Sequence, residues 1–157
     1  MNAIFPGSFD PPTEGHLDVI RRASAIFERV IVAVMVNSEK HTMFGAEERR
    51  EMLRECCAGL ENVEVIFSDR LTIDLAQDYA PAVLVKGMRT ASDFDYEAMI
   101  STANLEAGEL DTVFIISRPE HTRVSSTVVR EFGSHGGPVE RWTPEPVARR
   151  IREKFGK

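Results

Sequence analysis

Seven consecutive apolar residues, Val30-Ile31-Val32-Ala33-Val34-Met35-Val36, constrain this chain more than any other stretch. A half-exposed strand or an amphipathic helix would break such a run with polar residues at its own period. A strand covered by helices on both faces shows no alternation. The run is too short to cross a bilayer, and its β-branched content reads as the central strand of a parallel sheet. Shorter runs of the same kind occur at residues 3–5, 63–67, 83–85 and 112–116. Between them, apolar residues recur at helical spacing over residues 17–27, 46–57, 71–79 and 93–107, with Glu47 and Glu48 opening the second segment and Pro81 following the third. Two more helices are expected at residues 125–132, closed by Gly136-Gly137-Pro138, and at residues 144–155, the last with a basic polar face. Parallel strands need crossovers, and the crossovers here are helical. The chain therefore predicts an α/β fold: a single domain over residues 1–157 with a five-stranded parallel sheet flanked by helices.

A length of 157 residues gives one core and leaves little room for two. The formal net charge of −6 and the lack of a basic stripe argue against a nucleic-acid or membrane-surface partner. The opening residues carry no basic leader and are broken by Pro6, so no signal peptide is expected. Cys56 and Cys57 are adjacent. Their Cα atoms stand about 3.8 Å apart, closer than ordinary disulfide geometry accepts. They are expected to pack on a helix in a reducing cytoplasm.

In parallel α/β sheets, ligands bind beyond the carboxyl ends of the strands. The residues just after each apolar run are therefore informative. The first run leads into Gly7-Ser8-Phe9-Asp10-Pro11-Pro12-Thr13-Glu14-Gly15-His16, a turn handing a strand to a helix. Gly7 permits close approach there, Gly15 removes bulk beside His16, and the helix start offers unpaired N–H groups to an anion, with His16 at its edge. The other strand ends supply Lys40, Arg70, Lys86, Arg89, Arg118 and Arg123. In an acidic protein such a gathering at one edge points to a polyphosphate. Neither the Walker A loop nor the dinucleotide G-x-G-x-x-G pattern occurs.

The pattern G-S-F-D-P-x-T-x-G-H after a first strand resembles the signature of the nucleotidylyltransferase superfamily, which implies a Rossmann-like domain. Three further stretches narrow the resemblance: Lys40 with Met43-Phe44 and Glu47-Glu48-Arg49; Val85-Lys86-Gly87-Met88-Arg89 with Asp93-Phe94-Asp95-Tyr96-Glu97; and Val124-Ser125-Ser126-Thr127. In this order the chain is similar to the phosphopantetheine adenylyltransferases, which join 4′-phosphopantetheine to ATP. The resemblance implies catalytic roles for His16, on the ATP phosphates, and Lys40, at the reacting centre. It implies an ATP site of Ser8, Phe9, His16, Gly87, Met88, Arg89, Glu97, Val124, Ser125, Ser126 and Thr127, and an acceptor site of Ser8, Lys40, Thr72, Lys86 and Asn104. Mg²⁺ carried mainly by substrate oxygens, a cytoplasmic location and a homohexameric assembly are likewise implied.

Three positions depart from the common family pattern. Lys86 stands where Arg is frequent, exchanging a bidentate fork for a point charge. Ser8 replaces Thr and keeps the hydroxyl, and Thr127 replaces the third Ser of Ser-Ser-Ser. The last change approaches the pattern of nicotinamide mononucleotide adenylyltransferases, which share the first and last motifs. Transfer to that acceptor is one alternative, and a non-catalytic nucleotide-binding module is another. No G-x-S-x-G elbow or activated thiol is visible. His16, Lys40, Lys86 and Arg89 thus read as cations or hydrogen-bond donors, with charge neutralisation and positioning carrying the chemistry.

Overall fold

The computed structural model describes residues 1–156. The elements run β1 (Asn2–Gly7), α1 (Glu14–Ile26), β2 (Arg29–Met35), α2 (Ala46–Cys56), β3 (Val63–Ser68), α3 (Thr72–Gln77), β4 (Ala82–Met88), α4 (Ala91–Gly108) and β5 (Thr112–Ile116). A 3₁₀ turn at Pro119–His121 comes next, then α5 (Ser126–Ser134) and α6 (Glu145–Phe155). Every strand pair is parallel, in the order β3-β2-β1-β4-β5. The Rossmann-like α/β sheet is therefore as expected. β2 is an interior strand with partners on both sides, but the middle place belongs to β1.

The unbroken apolar run has the cause foreseen for it. Val30, Val32 and Val34 join Leu17 and Ile20 of α1 and Leu53 of α2 in one core cluster. Ile31 and Ala33 face the other way, against Leu75 and Ala76 of α3. All five of these β2 side chains are fully buried. A third cluster lies beyond the sheet, where Val129 of α5 meets Val147, Ala148 and Ile151 of α6, with Met52 of α2 completing it.

β4 extends further than its apolar run, because Lys86, Gly87 and Met88 pair with Phe114, Ile115 and Ile116 of β5. Lys86 thus stands in the sheet and not in a loop. Gly87 has a steric reason to be there: a Cβ would come within 3.0 Å of Val19 Cγ2, so its bareness lets α1 lie close on β4.

The basic face expected of α6 is spent locally. Arg149 and Arg150 pair with Glu55 and Glu51 of α2, and Arg152 with Glu140 and Glu145. Cys57 is buried and Cys56 half-buried. Burial pushes both thiols up, to about 12 for Cys56 and about 11 for Cys57. By contrast, α4 buries none of its residues and exposes Phe94, Tyr96, Met99 and Leu105, while the edge strand β5 exposes Val113 and Ile116.

Gly133 lets α5 lie close on α6, since a Cβ there would stand 2.9 Å from Ile151 Cγ2. The helix-propensity gain of Gly133→Ala is about 1 kcal/mol at most, whereas overpacking a well-filled core costs about 1–3 kcal/mol. Urea denaturation is expected to show net destabilisation of Gly133→Ala, and equal or higher stability would mean that the two helices separate freely.

Candidate active site

Strand order reverses between β1 and β4, so their following connections leave in opposite directions and a crevice opens above their carboxyl ends. A cavity of about 500 Å³ occupies that place. Its floor is Phe5 to Gly7 of β1 with Lys86 and Gly87 of β4. Its walls are Phe9, Thr13, Gly15 and His16 on one side, Arg89 and the α4 residues Asp93, Tyr96 and Glu97 on another, and Ser117 with Val124 to Thr127 on a third.

The loop from Gly7 to Thr13 is shaped around an aromatic cluster. A Cβ on Gly7 would come within 3.0 Å of the Phe9 ring. Phe9 takes a left-handed backbone (φ 49°), which turns its ring inward. The ring meets Phe5 edge-on at 5.2 Å and His16 at 4.9 Å between centroids. Gly15 leaves open space beside His16. A Cβ there would make only ordinary contacts, 3.5 Å from Thr13 Oγ1 and 3.9 Å from His121, so its bareness keeps the cavity wall open and does not relieve a clash.

Thr13 caps α1 and fixes His16. Its hydroxyl accepts from the His16 N–H at 3.3 Å, and its own N–H donates to His16 Nδ1 at 3.1 Å. With Nδ1 accepting, the ring proton of the neutral imidazole lies on Nε2. Burial lowers the His16 pKa to about 4, and the nearby positive charge of Arg89 acts in the same direction. At neutral pH His16 is therefore an uncharged donor, not a cation. Three helix N-termini, those of α1, α4 and α5, border the cavity. At the start of α5, Ser125 accepts from the Val128 N–H at 3.2 Å, and Ser126 donates its hydroxyl to Pro11 O at 2.8 Å.

The six strand-end cations do not form one cluster. Lys86 and Arg89 line the cavity, each beside an α4 carboxylate: Lys86 Nζ is 3.5 Å from Glu97, and Arg89 Nε is 3.3 Å from Asp93. Arg89 also donates to Val124 O at 2.8 Å, tying β4 to the Ser125 segment. Arg70 turns away to Asp78, and Arg118 is held by the buried Asp18 at 2.9 Å. Local acids claim these side chains, which linear spacing did not reveal.

Of the residues singled out in the sequence, the structure brings Phe9, His16, Lys86, Gly87, Arg89, Glu97 and Val124 to Thr127 around one cavity. Ser8, Lys40, Thr72, Met88 and Asn104 lie outside its lining. Ser8 is exposed and lends its carbonyl to Arg49, Lys40 is exposed in the loop after β2, and Met88 is buried. Thr72 opens α3, and Asn104 sits one turn before the point where Gly108 of α4 meets Ile73. Thr13 was missed as a partner of His16, although its place three residues upstream is the capping-box spacing. Asp10, Arg49 and Arg130, which hold the loop from behind, gave no sequence signal of that role.

The cytidylyltransferase-like family pattern matches residues 4–132. A protein of Symbiobacterium thermophilum named phosphopantetheine adenylyltransferase is 45% identical over 100% of this chain and 98% of its own. Proteins of the same name from Deinococcus radiodurans and a Synechococcus strain are 44% and 46% identical, over 99% of this chain and 94% and 98% of theirs. The chain belongs to the phosphopantetheine adenylyltransferase family. Membership in the phosphopantetheine adenylyltransferases makes it a nucleotidyltransferase. A solved structure from Vibrio parahaemolyticus, provisionally described as a nicotinate-nucleotide adenylyltransferase, superposes with a TM-score of 0.70 over 98% of this chain and 91% of that one. At 18% identity that likeness bears on the fold alone.

In this chain His16 should titrate near pH 4 by ring NMR, against about 6.5 in the unfolded state. Between those values the unfolded state takes up a proton that the folded site refuses, so this contribution to stability is lost as pH falls from about 6.5 towards 4. A His16 ring titrating at 6 or above would mean that the imidazole is charged and solvated.

Proposed function

We propose that this chain transfers the adenylyl group of ATP reversibly to 4′-phosphopantetheine, giving dephospho-coenzyme A and pyrophosphate in coenzyme A biosynthesis. The observation that carries the reading is the 44–46% identity, over almost the whole length, to proteins named for that activity. An oxygen of the acceptor phosphate attacks the α-phosphorus, and the bond from that phosphorus to the oxygen bridging to the β-phosphate breaks. The bonding electrons leave with pyrophosphate. No covalent enzyme intermediate is required, because His16 holds its Nδ1 lone pair on the Thr13 N–H and offers the cavity a donor.

The residues divide the work by charge. His16 Nε2–H donates to a non-bridging α-phosphate oxygen as negative charge grows there, and its neutrality makes it a transition-state donor more than a ground-state anchor. Lys86 and Arg89 exchange their carboxylate partners for phosphate oxygens, and the amides at the α1 and α5 N-termini add to the field. Lys40 and Ser8 serve the acceptor phosphate, and Thr72 and Asn104 its pantetheine arm. Asp93 and Glu97, released as Lys86 and Arg89 turn to phosphate, are the carboxylates on the cavity wall, and they would hold the hydration shell of Mg²⁺ arriving on the triphosphate as part of the nucleotide substrate. Bound there, Mg²⁺ supplies charge neutralisation.

Pyrophosphate release from ATP and Mg²⁺ across a panel of phosphorylated acceptors tests the reading. Turnover is expected with 4′-phosphopantetheine. Turnover with nicotinamide mononucleotide in its place would reassign the acceptor, and none with any acceptor would leave a nucleotide-binding module. In the same assay His16→Ala should lower kcat at least ~100-fold, about 2.7 kcal/mol, with little change in the KM for ATP. A loss confined to KM would return His16 to ordinary binding.

We also propose a homo-oligomer, a hexamer as the family resemblance implies, in a cytoplasmic enzyme. The exposed apolar side chains of α4 and the neighbouring edge strand β5 support it, since a helix apolar on several faces with nothing covering it is an interface in waiting. Among the described residues no helix is long and apolar enough to cross a membrane. Light scattering should return roughly six times the 17.6 kDa chain mass, and Met99→Glu should lower it. A monomer at micromolar concentration would refute the assembly.

A further inference from the structure

β1 and β2 are neighbours in register, with Gly7 opposite Val34, so the loops that leave them rise side by side. One loop, residues 7–13, walls the cavity. The other, residues 36–45, carries Lys40. The two are stitched together at their base by a carboxylate and a guanidinium that do not touch the cavity. Asp10, 5% exposed, accepts the Met43 N–H on Oδ2 at 2.8 Å and the Phe44 N–H on Oδ1 at 2.9 Å. Arg49 of α2, 3% exposed, donates Nε–H to Phe44 O at 3.0 Å and its terminal NH₂ to Ser8 O at 2.7 Å.

Burying two charges costs solvation that their attraction alone does not reliably return. What this pair obtains is backbone geometry. Each group spends its hydrogen bonds on main-chain atoms of the loops, and the attraction of Asp10 for Arg49 partly offsets the burial that draws the guanidinium pKa down. Ahead of the stitched residues, the segment holding Lys40 is organised by Asn37, which accepts the Lys40 N–H on its carbonyl at 3.1 Å and the Glu39 N–H on its side chain at 2.9 Å. The anchor at Met43 and Phe44 thus decides where the Lys40 segment starts from.

We propose that Asp10 and Arg49 are positioning residues for acceptor use: they lock the Lys40 loop to the nucleotide-side loop, so that the two substrates meet in register. The inference rests on the assignment of Lys40 to the acceptor phosphate. It explains why a carboxylate is needed behind the site. The carboxylate gives each of the two successive N–H groups an oxygen of its own, whereas an amide in the same place offers one oxygen and turns an NH₂ against the other donor.

The test uses the full chain with Asp10→Asn, Lys40→Ala, the double variant, and Arg49→Lys in case Asp10→Asn folds poorly. Hydrogen exchange of the 41–45 segment should accelerate at least ~10-fold in Asp10→Asn and Arg49→Lys while β1 and β4 keep their protection. With ATP and Mg²⁺, the KM for 4′-phosphopantetheine should rise roughly 10-fold and that for ATP less than about 3-fold. Placed on Lys40→Ala, Asp10→Asn should add little to the acceptor KM, because both act through one loop. Unchanged exchange at 41–45, an equal rise in both KM values, or additive losses in the double variant would each overturn the proposal. If Lys40→Ala leaves the acceptor KM untouched while exchange still accelerates in Asp10→Asn, the Lys40 assignment fails and the stitch itself stands.

Discussion

Parallel pairing is the constraint on which the rest depends. Five strands that all run one way deliver five carboxyl ends to one edge, and the break in strand order between β1 and β4 leaves that edge open at its middle. Everything at the site derives from this. The Gly7–Thr13 loop, the Lys86–Arg89 stretch and the Ser125 segment are far apart in sequence, and they converge because the sheet gives them no other place to go. The close seat of α1 on β4, which Gly87 allows, then sets the depth of the crevice.

An acidic chain that binds polyanions must keep its cations ready without letting them repel one another. At the cavity the structure does so by pairing Lys86 and Arg89 each with a nearby acid. Lys86 and Arg89 rest against Glu97 and Asp93, in contacts long enough, at 3.5 and 3.3 Å, to be exchanged for phosphate oxygens at modest cost. His16 takes the opposite course. Its environment of Phe5, Phe9 and Arg89 removes its charge, so it contributes direction and not attraction.

The fold was legible in the sequence because helix-covered strands write themselves as unbroken apolar runs, and residues 30–36 are the clearest case. Boundaries were less legible where sheet pairing carries polar residues along. Lys86 and Gly87 belong to β4 because β5 continues beside them, and no local pattern says so. In the site, the turn from Gly7 to His16 was visible as a motif, but the fate of Arg70 and Arg118 was not. Both depend on which acids the fold brings near: Asp78 from the far side of α3, and Asp18 across a hundred residues. The neutrality of His16 was equally hidden, since it arises from neighbours in space. The supporting residues Asp10 and Arg49 escaped because their partners are backbone atoms, which leave no mark in a sequence.

The two thiols at the end of α2 have a bearing on the chemistry of the acceptor. An acceptor such as 4′-phosphopantetheine ends in a sulfhydryl, and a protein that handles it is open to mixed-disulfide formation. Exchange requires a thiolate. Burial pushes the Cys56 thiol up to about 12 and Cys57 to about 11, so both stay protonated at pH 7. The enzyme's own sulfur is thereby kept out of redox traffic with its substrate, chiefly by burial.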